Sequence, residues 1–151
     1  MDREGVEVWL KEYGIKNYTI NEDLSVDVNG VVNLVSVGLV ELPIRFGIVS
    51  GSFYCTDNPK LSVLLGCPIK VGGNFYCNDN KLTNLVGCPS EVGGNFYCYN
   101  NELTSLNGCP IGVIGGFNCN NNKLSNLLGC PIVIGLELLV RYVILDNIAI
   151  D

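Results

Sequence analysis

The chain of 151 residues contains no histidine. Pairs of cysteine or serine with a histidine base are therefore excluded, and with them the common forms of nucleophilic catalysis. The sequence also offers no phosphate-binding loop, because neither Gly72-Gly73 nor Gly93-Gly94 leads into a lysine and a helix. We expect a protein that is not an enzyme, has no catalytic residues and binds no cofactor.

Positive charge is scarce as well. Lysine and arginine number 9 against 15 aspartates and glutamates, which gives a formal net charge of −6. Because binding to a nucleic-acid backbone needs a basic face, the composition argues against nucleic acid as a partner.

The sequence has no long uninterrupted apolar run. Its first residues, Met1 to Glu4, lack the basic region that opens a secretory signal. The apolar tail from 132 to 150 is interrupted by Glu137, Arg141 and Asp146, which makes it a poor membrane span. We expect a soluble cytoplasmic protein with no membrane partner.

A strict repeat is the dominant feature that is present. Eight cysteines fall into two series with a spacing of 21, except that Pro59 adds one residue between the first two members of the first series. A fixed period of this length predicts a solenoid. The first series is Cys55, Cys77, Cys98 and Cys119, and the second is Cys67, Cys88, Cys109 and Cys130.

The regular positions of the cysteines predict buried, reduced thiols that take the place of leucine or valine. Neighbouring coils lie about 4.8 Å apart, whereas the Cβ atoms of a disulfide lie about 3.8 Å apart. A line of sulfurs also cannot converge into the tetrahedron that zinc requires. We therefore expect neither disulfides nor a metal site.

The sequence of each repeat predicts which side chains point into the core and which point outward. In Phe96-Tyr97-Cys98 the alternation of a strand points Phe and Cys inward and Tyr outward. An asparagine follows three residues after each cysteine of the first series, where its amide can bond backbone groups of two coils. These structural ladder residues are Asn58, Asn80, Asn101 and Asn122.

The ends of the solenoid should be covered, because a terminal coil exposes its apolar core. Residues 2–13 read as an amphipathic helix with an Asp2 cap and a Gly14 stop, and Tyr18 to Val28 read as a hairpin. Residues 1–31 are then an N-terminal cap, 32–135 the repeats and 136–151 a C-terminal cap or assembly segment, within one domain. The alternative for the helix is that it binds a partner.

The pattern Phe-x-Cys-x-x-Asn-x-Leu resembles the L-x-L-x-x-N-x-L of leucine-rich repeats. With Pro89 upstream, the unit is most similar to the short repeats of bacterial effectors, from which it departs by one inserted residue and by Gly-Cys before the proline. It also looks like the Gly-Gly-Asn/Asp-Phe-x-Cys repeats of bacterial and phage proteins. The resemblance covers about 32–140 and implies a concave, protein-binding sheet.

Period and resemblance together predict a mainly β fold. We expect a right-handed leucine-rich-repeat solenoid with short turns, extended chain or 3-10 segments on its convex side. Its parallel strands should lie at about 52–56, 74–78, 95–99 and 116–120.

Residues that point outward from these strands form the expected binding face. Tyrosine offers large contact area at little entropic cost, and asparagine offers adaptable hydrogen bonds. Stacked tyrosines that only stabilise the strands are the alternative, and sugar stacking also stays open. The expected binding residues are Tyr54, Tyr76, Tyr97, Tyr99, Asn74, Asn78, Asn95, Asn118 and Asn120.

The sequence favours a non-enzymatic module that binds a protein or peptide, such as a bacterial or phage host-interaction protein. The alternatives are a recognition subunit of a separate enzyme and a structural assembly spacer. The apolar tail further suggests a homodimer through Leu138, Val140, Tyr142 and Ile144, unless the tail folds back on the last coil.

Overall fold

A computed structural model describes residues 1–133 of the chain. The C-terminal segment 136–151, with the four residues expected to mediate a dimer, lies outside the described residues. The elements are α1 (Arg3–Glu12), β1 (Tyr18–Ile20), β2 (Ser25–Val28), β3 (Val32–Asn33), β4 (Arg45–Val49), β5 (Phe53–Tyr54), β6 (Lys70–Val71), β7 (Phe75–Tyr76), β8 (Glu91–Val92), β9 (Phe96–Tyr97), β10 (Gly112–Val113), β11 (Phe117–Asn118) and β12 (Ile132–Val133).

The N-terminal helix and hairpin form as predicted. The side chain of Asp2 accepts a hydrogen bond from the Gly5 amide at 2.9 Å, which satisfies one of the free amides of the first turn. Helix α1 buries Val6, Trp9 and Leu10. The hairpin β1–β2 is antiparallel, and β2 then pairs in parallel with β4, so the hairpin extends a sheet of the solenoid.

The repeats form a β-solenoid with two parallel sheets. Sheet A has the order β1-β2-β4-β6-β8-β10-β12, and sheet B has the order β11-β9-β7-β5-β3. All pairings in both sheets are parallel apart from the β1–β2 hairpin. Sheet B is the predicted one, and its strand assignments are shorter than the ranges that the sequence predicted.

Sheet A forms the side of the coil that follows each Gly-Cys-Pro. Of the conformations expected there, the chain adopts the extended one beside short turns, and residues 1–133 contain no 3-10 helix. After each Gly-Cys-Pro the chain returns through a two-residue parallel strand, such as Lys70–Val71 or Glu91–Val92. The second sheet gives each coil an additional set of backbone hydrogen bonds to its neighbours.

Glycine is required where the chain turns from sheet A into sheet B. A Cβ atom on Gly72 would lie 2.2 Å from the backbone oxygen of Ser50, and one on Gly93 would lie 2.3 Å from that of Gly72. Neighbouring coils therefore approach too closely for a Cβ atom at Gly72 and Gly93, whereas the corresponding positions of the first and last coils carry Ser50 and Ile114. This contact explains the first glycine of Gly72-Gly73 and of Gly93-Gly94.

The core is a set of columns of identical residues. The buried rings of Phe53, Phe75, Phe96 and Phe117 stack with centroids 5.3–5.7 Å apart, and Phe46 joins the column edge-on at 5.2 Å from Phe53. Trp9 of the cap contacts Phe46 at 6.3 Å. The cap and the coils thus share one continuous aromatic core.

The predicted asparagine ladder ties successive coils together. The amide nitrogen of Asn101 donates to the carbonyl oxygens of Cys77 at 2.9 Å and Cys98 at 3.1 Å. Its amide oxygen accepts from the Leu82 backbone nitrogen at 3.0 Å. Asn58, Asn80 and Asn122 bond to the backbone of their own and an adjacent coil in the same way.

None of the eight cysteines, all of which lie within residues 1–133, forms a disulfide. The first series is buried, as expected, and so is Cys67. Burial of the second series is otherwise incomplete, because Cys88, Cys109 and Cys130 are only half-buried. Their Gly-Cys-Pro triplets lie in turns, where the chain reverses at the surface.

Candidate binding surface

Three tyrosines form a stacked row on the outward side of sheet B. Tyr54, Tyr76 and Tyr97 occupy the same register position in β5, β7 and β9. Their ring centroids lie 4.5 and 4.8 Å apart, and the ring planes differ by 8° and 18°. All three side chains are half-buried, so the row forms a continuous and partly solvated aromatic surface.

Tyr99 extends this surface by one column. Its ring meets that of Tyr97 edge-on, with centroids 6.3 Å apart and planes at 80°. Burial raises the pKa of the Tyr99 phenol, and the negative charge of Asp79 raises it further. We refer to the surface formed by Tyr54, Tyr76, Tyr97 and Tyr99 as the tyrosine face.

The asparagines in the column before the tyrosines are engaged with the backbone. The amide oxygen of Asn74 accepts from the Asn95 backbone nitrogen at 2.7 Å, and that of Asn95 accepts from the Gly116 nitrogen at 2.6 Å. The amide nitrogen of Asn74 donates to the Tyr76 hydroxyl at 3.1 Å. These two expected binding residues therefore form a second ladder, which also orients one of the tyrosines.

Asn78 is not an exposed residue, contrary to the expectation from strand alternation. Its side chain is 5% exposed and donates to the Thr56 hydroxyl at 2.8 Å. Asn118 is half-buried and accepts from the Asn120 backbone nitrogen at 3.0 Å. The amide oxygens of Asn78 and Asn120 are covered and accept no hydrogen bond from the described residues.

A polar column that the sequence analysis missed runs along the edge of the tyrosine face. Its members precede the ladder asparagines and have positive φ angles of 52–57°. Asn100 donates to Asp79 at 2.7 Å, and Asn121 donates to Asn100 at the same distance. The recurring Asp-Asn and Asn-Asn dipeptides are the sequence feature that could have predicted this column, since Asp and Asn tolerate the left-handed conformation. The column consists of Asp57, Asp79, Asn100 and Asn121.

Sheet A carries a shallow apolar groove that the sequence also did not indicate. Its volume is about 470 Å³, and its lining includes Ile48, Ile114 and the glycines Gly72 and Gly93. Lys70 and Glu91 form an ion pair of 2.9 Å beside it. Gly72 and Gly93 leave the groove open beside Ile114, because they carry no side chain in the column that ends at this residue.

The cysteines offer little nucleophilic chemistry. Burial raises the pKa of Cys88 to about 12 and that of Cys119 to about 11, so both remain protonated near neutral pH. Within the described part of the chain, no three His, Cys, Asp or Glu side chains are grouped so that they could hold a metal ion. The one helix of that part is too short and too polar to cross a bilayer.

No protein-family model, curated protein or solved structure matches the chain.

Proposed function

We propose that this chain is a non-enzymatic repeat module that binds a protein or peptide on its tyrosine face. The observation that carries the proposal is the row of three stacked tyrosines with Tyr99 set perpendicular to it. Tyrosine and tryptophan are enriched among residues that dominate binding energies.

The geometry reduces the cost of binding. Tyr76 stacks between the rings of Tyr54 and Tyr97, so little side-chain freedom remains to be lost in the row when a partner binds. Asn74 fixes the hydroxyl of Tyr76, which leaves the row pre-organised. A rigid surface with aromatic bodies and polar tips can contact both apolar and polar groups of a protein.

The absence of histidine and the raised thiol pKa values support a non-enzymatic role. If the partner proves to be an enzyme, the chain acts as its recognition subunit.

We further propose that the solenoid is of the leucine-rich-repeat type found in short bacterial and phage repeats. The asparagine ladder behind each Phe-x-Cys strand supports this assignment. Eight cysteines without a disulfide favour a reducing compartment, and we propose the cytoplasm.

Affinity capture with matched variants tests the binding proposal. The test variant combines Tyr76→Ala, Tyr97→Ala and Tyr99→Ala. The control combines Leu65→Ala, Ile69→Ala and Ile111→Ala, whose side chains are 62%, 62% and 74% exposed and lie off the tyrosine face. We expect the control to retain the partner captured by the wild type and the tyrosine variant to lose it.

Circular dichroism must accompany the capture, because lost stacking also costs stability. An aromatic pair contributes about 0.5–1.5 kcal/mol, so the tyrosine variant should be weakened but still folded. Retention of the partner by the folded variant would refute the proposal. Unfolding of the variant would assign the tyrosines to the fold and would equally refute it.

A further inference from the structure

We propose that the tyrosine face recognises a basic segment of its partner, one that presents arginine or lysine side chains. This inference rests on the proposed function and names the chemistry of the partner. It is carried by the distribution of charge on sheet B, by the hydrogen-bonding groups beside the tyrosines and by the geometry of the rings.

The charge within the strand segments that carry the tyrosine face has one sign. The four strand segments 52–57, 74–79, 95–100 and 116–121 contain Asp57 and Asp79 but neither lysine nor arginine. Neither aspartate takes part in an ion pair with any residue of 1–133. Four other carboxylates of the described residues, Glu7, Asp23, Glu91 and Glu102, are each paired with a lysine or arginine. The tyrosine face is thus bordered by two carboxylates that form no ion pair within the described residues.

Neutral donors leave that charge in place. Ser36 donates to the Asp57 carboxylate, and Asn78 and Asn100 donate to the Asp79 carboxylate at 2.6 and 2.7 Å. These bonds hold the two side chains in position along the edge of the face. Held carboxylates favour a cation, because less side-chain entropy is lost when the ion pair forms.

The two carboxylates also have acceptor positions to spare. Asp57 accepts one hydrogen bond and Asp79 accepts two from the described side chains, whereas an ionised carboxylate has about four acceptor positions. The amide oxygens of Asn78 and Asn120 are covered and do not add to this number. A ligand that brings several N–H donors, as guanidinium does, matches the remaining positions on the carboxylates better than an acidic or apolar ligand.

The aromatic geometry suits a cation in a second way. Tyr97 and Tyr99 meet at 80°, so their two rings bound a corner rather than a flat stack. A guanidinium or ammonium group is attracted to the face of an aromatic ring. The Asp79 charge acts at the same corner, as the raised pKa of Tyr99 reflects after the larger effect of burial. The net charge of −6 adds long-range attraction for a basic segment.

The test uses the full-length chain and labelled arginine–serine, lysine–serine and glutamate–serine repeat peptides as probes. Fluorescence anisotropy at low ionic strength should show binding of the two basic peptides, with at least about tenfold weaker binding of the acidic one. Binding should weaken as salt is added. Equal binding of the basic and acidic peptides would overturn the proposal.

A charge-matched pair of variants places the binding site. The test variant is Asp57→Asn with Asp79→Asn, and the chain itself carries asparagine at the corresponding positions 100 and 121 with similar φ. The control is Glu12→Gln with Glu41→Gln, two exposed carboxylates off the face that change the net charge equally. We expect the test variant to bind the arginine–serine peptide about threefold or more weakly and the control to bind like the wild type.

Equal weakening in both variants would show that only net charge matters and would overturn the proposal. The same conclusion would follow if Tyr97→Ala with Tyr99→Ala left peptide binding unchanged. Neither result touches the proposed function, which the capture experiment decides separately. Suppose that the captured partner is lost when the tyrosines are replaced but is retained when Asp57 and Asp79 are replaced. The tyrosine face would then still be the binding surface, and only its preference for cations would be refuted.

Discussion

Replacement of Asn101 by alanine is the sharpest perturbation of the solenoid itself. This side chain is 8% exposed and donates to Cys77, Cys98 and Tyr99 while it accepts from the Leu82 nitrogen. Alanine keeps the backbone conformation but removes all four hydrogen bonds. The Leu82 amide then has no hydrogen-bond partner, because Asn101 is its only acceptor among the described residues.

The expected loss follows from the groups left behind. An orphaned buried donor costs about 1–3 kcal/mol. The carbonyls of Cys77 and Cys98 lose one donor each but keep a second one, from Asn80 and Asn122 respectively. We therefore expect Asn101→Ala to lower the free energy of unfolding by about 2–4 kcal/mol.

Urea unfolding followed by circular dichroism measures this loss. The matched control is Asn100→Gly, because Asn100 is the exposed neighbour and its φ of 53° suits glycine. We expect that control to lose less than about 1 kcal/mol, since its hydrogen bonds are exposed. If Asn101→Ala matched the wild type within about 0.5 kcal/mol, the account of the ladder would be wrong.

Three further predictions concern the corner, the thiols and the tail. Gly93→Ala should lower the melting temperature by several degrees, because its Cβ would lie 2.3 Å from a backbone oxygen, and an unchanged melting temperature would contradict the close contact. Alkylation of native, non-reduced protein should be slow at neutral pH and should accelerate as the pH rises toward the raised pKa of Cys88, about 12. The half-buried Cys130 should be labelled before the fully buried thiols. Disulfide-linked masses or fast labelling at neutral pH would refute the prediction of buried, reduced thiols. The tail should mediate a homodimer that Tyr142→Lys with Ile144→Lys disrupts, and light scattering that reports a monomer at high concentration would reject this proposal.

The part of the fold that the sequence predicts is the part with a repeated pattern of its own. In sheet B, Phe96 and Cys98 point inward on either side of Tyr97, so alternation and period agree. The sequence allows an extended segment on the other side of the coil but does not predict the pairing of sheet A, because most coils supply one buried residue there, such as Val92 between an exposed Glu91 and a glycine. One buried residue shows no alternation, so a two-residue strand cannot be told from a turn.

The candidate site divides in the same way. The sequence places Tyr76 and Tyr97 on one outward row, because register follows from the period alone. The sequence cannot assign a role to Asn74 or Asn78, because an outward-pointing asparagine can either contact a partner or form hydrogen bonds to the backbone. The surroundings of each side chain distinguish the two roles. The Asn95 amide of the next coil lies 2.7 Å from the Asn74 amide oxygen, and Asn78 donates to Thr56 of the preceding coil and to Asp79 of its own coil.

Footprinting of the tyrosines in the complex tests the central claim most directly. Nitration of the native chain, alone and with its captured partner, can be read residue by residue by mass spectrometry. Tyr13 and Tyr18 in the N-terminal cap serve as internal controls, since both are partly buried and lie away from sheet B. A working tyrosine face predicts that Tyr97 and Tyr99 lose reactivity in the complex while Tyr13 and Tyr18 do not. Unchanged nitration of Tyr97 and Tyr99 in a saturated complex would contradict the account.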